Sequence, residues 1–215
     1  MALFITFEGI EGSGKSTQIC LLKEHLANQG VSVLITREPG GCPIADAIRA
    51  ILLDPANQEM TARTELLLYA AARAQHVDQL IRPTLAAGTT VLCDRFIDAT
   101  TAYQGGARGL DTALIAQLNH VATGGLCPDL TLLLDFPAET GLERARQRNQ
   151  QGNLLDEGRF ELETFDFHRR VRQSYLELAA REERFRVIDA TGLADEVAAR
   201  IAAVVDDFLA NRSHP

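Results

Sequence analysis

Four cysteines, Cys20, Cys42, Cys93 and Cys127, are scattered through 215 residues without a single C-x-x-C pair. Structural zinc and thioredoxin-like chemistry therefore have no footing, and the thiols read as inert packing residues of a reducing, cytoplasmic compartment. Positive charge is scarce: 21 Lys and Arg face 29 Asp and Glu, a formal net charge of −8. Such a balance argues against nucleic acid or an anionic membrane surface as the main partner, although it leaves room for a local basic cleft. No apolar run approaches the length of a membrane span, and residues 1–10 carry no basic segment of the secretory kind. Asn is nowhere followed by Lys, so the N-K-x-D that reads guanine in nucleotide switches is absent.

What is present is a regular alternation. Five short, nearly continuous apolar runs occur at 3–8, 31–38, 89–96, 130–136 and 184–189, the pattern of strands buried on both faces. Helical periodicity fills 15–28, 43–53, 61–87, 111–122, 139–149, 160–181 and 193–211. Pro83 predicts a kink or break inside the long third pattern. Strand and helix alternate throughout, which predicts an α/β fold: a five-stranded parallel sheet flanked by helices in one domain over 1–215. The polar stretch 146–153 reads as a mobile loop.

The first strand runs into Gly9-Ile10-Glu11-Gly12-Ser13-Gly14-Lys15-Ser16, followed by Thr17. This fits G-x-x-x-x-G-K-[ST], and the strand before it and helix after it are the required context. Glycines let the backbone aim its N–H groups at phosphate, and the helix start adds its positive dipole end. Lys15 is a point charge for the β and γ phosphates of ATP, and the Ser16 hydroxyl suits Mg²⁺. Such a loop serves switches and kinases alike. The only D-x-x-G begins at Asp189, too late in the chain for a switch.

Two strands end in aspartate, at Asp94 and Asp135. Asp94, followed at once by Arg95, is favoured for the metal, and Asp135 for a structural role; a plain Asp94–Arg95 ion pair is the simpler alternative. Tyr69 and Arg73 lie four apart on one helical face, with His76 a turn on. They form a platform for a flat base, unless the tyrosine merely packs and the arginine is solvated. Small hydroxyls, an aromatic and an amide follow the third strand, in Asp98 to Gly106.

With these in place, the chain resembles the bacterial thymidylate kinases over nearly its whole length, in FEGIEGSGKST (7–17), TREPGG (36–41), TELLLYAAARAQH (64–76), DRFIDATTAYQGGARG (94–109) and a last region over 144–179. The resemblance implies a P-loop kinase fold that transfers the γ-phosphate of ATP to dTMP with Mg²⁺, in a homodimer. Glu11 is then an acceptor-side carboxylate for the deoxyribose 3′-hydroxyl. Tyr69 packs on thymine, and Arg73 bonds its carbonyl. Thr100 and Gln104 sit at the base edge, Tyr103 lies against the sugar, and Pro39 faces the methyl side. Arg37 and Arg95 hold the acceptor phosphate. The loop itself lacks an arginine, so a small mobile lid at about 144–160 supplies one, with Arg148 and Arg159 the candidates among Arg144, Arg146, Arg148 and Arg159. The lid segment is longer than the pattern, and Cys42 stands where the pattern has threonine. Two rivals remain: a P-loop kinase for another acceptor, and a nucleotide-dependent switch.

Overall fold

In the computed structural model, which describes residues 2–150, 160 and 163–212, five parallel strands stand in the order β2-β3-β1-β4-β5. They are β1 (Phe4–Glu8), β2 (Val33–Arg37), β3 (Thr90–Asp94), β4 (Leu130–Asp135) and β5 (Phe185–Asp189). Each falls within two residues of its apolar run. β1 is central and wholly buried, which is why its sequence shows no alternation.

Helices cover both faces. α1 (Lys15–Asn28) and α9 (Ala194–Arg212) pack Ile19, Leu22, Leu26, Val197, Ile201 and Val205 against Ile5, Phe7, Leu92, Leu132 and Leu134. Each such side chain taken out of water contributes about 1.5–3 kcal/mol. On the opposite face, α8 (Phe165–Ala179) brings Phe167, Val171 and Tyr175 against Leu133, Phe185 and Tyr103. α2 (Pro43–Leu53) and α3 (Ala62–His76) lie together, and α6 (Thr112–Thr123) flanks α3. α7 (Ala138–Gln150) follows β4.

The long third pattern does not break at Pro83. α3 passes through a π-helical stretch, Val77–Ile81, into α4 (Arg82–Ala86), with Pro83 in the first turn of α4. A proline lacks an N–H and crowds the carbonyl four residues back; the wider turn just before it removes both demands. A second π-helical stretch, Thr101–Ala107, continues the short helix α5 (Ile97–Thr100) and carries Tyr103 and Gln104. The polar stretch read as a loop from 146 is helical up to Gln150, at the end of α7. Two of the four cysteines, Cys20 and Cys127, are exposed rather than packed. No helix among the described residues is long and apolar enough to cross a membrane.

Candidate active site

The carboxyl ends of β1, β2 and β3 converge, as parallel sheets require for their ligands. The phosphate loop leaves β1 and turns into α1 at Gly14, in the left-handed region (φ +90°). Gly12 has no room for a side chain: a Cβ there would lie 2.1 Å from the Gly141 carbonyl oxygen. The loop is thus pressed directly on the start of α7. Lys15 is buried, and its Nζ donates to the Gly9 and Ile10 carbonyls, each at 3.0 Å.

Ser16 Oγ donates to Asp94 Oδ2 at 3.3 Å. Asp94 Oδ1 is buried and has no hydrogen-bond partner among the described residues. One hydroxyl and one carboxylate with a spare oxygen suit Mg²⁺, which keeps most of its shell for water and phosphate. Ser16 and Asp94 line an open cleft that also includes Arg37. Asp135 takes a bidentate bond from Arg172, at 2.7 and 2.9 Å, and ties α8 to β4.

A second cavity, about 430 Å³ including its open mouth, is bordered by every acceptor-side candidate except Arg37. Glu11 closes its loop end. It is not a stray anion beside a phosphate site, because three donors meet it. Arg95 Nη2 and the Tyr103 hydroxyl reach Oε1 at 3.1 and 2.6 Å, and His168 Nδ1 reaches Oε2 at 3.0 Å. Burial alone raises a carboxyl's pKa, but Arg95, His168 and Lys15 together hold that of Glu11 well below the usual range. Arg95 itself has φ +67°, a strained conformation for a non-glycine residue. Its guanidinium also donates to Tyr103 at 2.8 Å and lies over that ring.

The turn at Arg95 is held from behind by Glu8. Glu8 Oε1 accepts the Phe96 N–H and Oε2 the Tyr175 hydroxyl, each at 2.7 Å. Complete burial, and then the nearby Asp98 carboxylate, push Glu8 up from 4.5 to about 7, against the pull of Tyr175 and Arg95. A raised carboxyl makes its stabilising contribution below pH 4.5 and loses it as pH rises through about 7. The loss from this group amounts to on the order of 3 kcal/mol. Unfolding in urea should therefore show the parent less stable at pH 8 than at pH 5.5, and Glu8→Gln should flatten that slope; equal slopes would exclude the assignment.

The other end of the cavity is built by Arg73, which is 1% exposed. Nε donates to Glu38 Oε2, Nη1 to Asn119 Oδ1, and Nη2 to the Phe96 carbonyl and Thr100 Oγ1, at 2.7–3.0 Å. Of five guanidinium N–H groups four are used among the described residues, leaving one on Nη1. Because Thr100 Oγ1 accepts from Arg73, its own hydrogen is free to donate. Arg73 is thus neither solvated nor a simple surface platform; it is a packed, pre-oriented donor. His76 turns away from this cavity, to Thr36 at 2.7 Å and Glu38 at 3.1 Å. Tyr69 and Pro39 form part of the wall.

Sequence reasoning missed Glu38, Arg49 and Phe160 in the cavity wall, and His168 on α8. A lone histidine on an amphipathic helix carries no motif, and only the packing of α8 on the Tyr103 segment places it. Arg159 lies outside the described residues, as does the side chain of Arg148 on α7. Arg144 lies over the Phe136 ring at 4.3 Å.

A family model described as thymidylate kinase matches residues 7–201. The thymidylate kinase of Geotalea uraniireducens is 60% identical over 206 residues, spanning 95% of this chain and 97% of that one. That of Pelobacter propionicus is 55% identical over 216 residues, spanning 100% and 99%. The crystal structure of thymidylate kinase from Ehrlichia chaffeensis superposes with a TM-score of 0.76 at 33% identity, covering 95% of this chain and 98% of that one.

Proposed function

The chain belongs to the thymidylate kinase family and phosphorylates dTMP to dTDP with ATP as donor, and we propose that dTMP lies in the cavity between Arg73 and Glu11. The observation that carries this placement is the cavity's polar plan. Donors from Arg73 and Thr100 stand at one end, and a carboxylate tied to the phosphate loop stands at the other. Thymine offers carbonyl acceptors, and deoxyribose offers a hydroxyl to Glu11.

In this reading the loop backbone and Lys15 hold the donor phosphates, and Arg95 and Arg37 the acceptor phosphate. Charge builds on the moving phosphoryl group, and fixed cations close to it lower the barrier. Ser16 and Asp94 would hold Mg²⁺, which would supply positive charge against the donor phosphates. Arg148 and Arg159, from a lid over about 144–160, would complete the positive charge. We also propose a single domain and a cytoplasmic homodimer: α2, α3 and α6 pack side by side and leave Ile51, Leu67, Leu114 and Val121 exposed.

Glu11 provides the test. An acceptor lacking the 3′-hydroxyl forfeits a charge-assisted hydrogen bond of roughly 1–3 kcal/mol. 3′-Deoxythymidine monophosphate should therefore be the poorer substrate. Glu11→Gln should lose activity on dTMP and narrow the gap between the two acceptors, with ATP affinity little changed. If the ratio of kcat/KM values stays at that of the parent, Glu11 serves the loop or the metal and not the sugar.

A further inference from the structure

We propose that Glu65, which does not border the cavity, sets the choice of base by fixing the amide orientation of Gln104; the inference rests on the reading that thymine occupies this cavity. Gln104 is 1% exposed and lines the cavity from the π-helical segment. Its Nε2 donates to Glu65 Oε1 at 2.8 Å. Glu65 is equally buried and is paired with the Arg108 guanidinium at 3.4 Å. A carboxylate has no hydrogen to give, so only the NH₂ side of the amide can face it. The assignment of nitrogen and oxygen is thus fixed by chemistry rather than by shape. Gln104 Oε1 makes no hydrogen bond among the described residues, which leaves it as the acceptor offered to a bound base.

The base end of the cavity then presents donors from Arg73 and Thr100 beside an acceptor from Gln104. A 4-keto pyrimidine with a hydrogen on N3 complements that order. Cytosine inverts it, placing an amino donor where the cavity donates and a lone pair where the cavity accepts. Buried mismatches of this kind leave polar groups unpaired and discriminate strongly. Glu65 is a positioning residue: it never meets the base, and it acts by denying Gln104 the flipped state that would admit cytosine.

The experiment measures kcat/KM for dTMP and dCMP at saturating ATP. In Glu65→Gln the new amide can donate as well as accept, so Gln104 can turn over. The dTMP-to-dCMP ratio should fall by roughly 10- to 100-fold, mostly through KM. Equal proportional losses on both acceptors would overturn the proposal. Arg108→Gln removes the guanidinium from the same carboxylate but leaves Glu65 on Gln104, and should keep the parent's ratio; a narrowing equal to that of Glu65→Gln would mean the effect is packing. Should Glu65→Gln fail to fold, Gln104→Met reports independently. It should lower the efficiency on dTMP by a similar factor and spare dCMP, and a common loss would again refute the idea. A parent that does not prefer dTMP fails on the function itself, whereas a preferring parent with an unchanged variant ratio refutes the part of Glu65 alone.

Discussion

Lys15→Ala should leave a folded protein whose phosphoryl transfer is reduced by roughly 10³-fold or more. In the proposed reading the charge serves the donor phosphates, and no neighbouring lysine shares the loop. Lys15 is nonetheless buried, with two loop carbonyls as partners, so its removal also leaves those carbonyls to find water. That cost is about 1–3 kcal/mol, small beside the catalytic loss. Circular dichroism and a coupled ADP assay on the same sample separate the two effects. Transfer at the parent's rate would mean that the loop does not work as described.

The second large effect falls on Arg73. Truncation to alanine leaves Glu38 buried with His76 as its remaining side-chain partner among the described residues, and breaking a buried pair costs about 3–5 kcal/mol. Arg73→Ala should therefore lower the urea midpoint sharply, whatever it does to catalysis. Arg73→Lys is the cleaner probe. It keeps a charge near Glu38 but cannot serve Asn119, Phe96, Thr100 and a base carbonyl together, because it lacks the planar fork. The KM for dTMP should rise by roughly 10- to 100-fold, with the KM for ATP nearly unchanged. Equal rises for both substrates would place Arg73 outside the acceptor site.

The fold was legible because its signals are local. A strand buried on both faces writes itself as an unbroken apolar run, and β1, β3 and β4 are such strands. The phosphate-loop motif was legible for the same reason, since its spacing is contained in eight residues. The strand order was not, because nothing in the runs says which neighbour each takes. The cavity proposed for the acceptor was half legible. Arg73 and Gln104 stand in segments whose resemblance to a family could be seen, but their supports could not. Glu38, Glu65, Asn119 and His168 each read as an ordinary polar residue on a helix or turn. Burial gives them partners to orient: a polar group at an exposed position is solvated, whereas the same group below 10% exposure must find a partner. Glu11 shows this most plainly. In sequence it is an anion where an anion should bind; in the fold it is the meeting point of Arg95, Tyr103 and His168, from three separate elements.

A crystal structure of the protein with dTMP bound tests the placement of the acceptor most directly. The thymine ring should lie against Tyr69, with a base carbonyl on Arg73, N3–H on Gln104 Oε1, and the 3′-hydroxyl within hydrogen-bond distance of Glu11. A nucleotide found instead in the cleft of Ser16, Arg37 and Asp94, with the Arg73 cavity left to solvent, would contradict it.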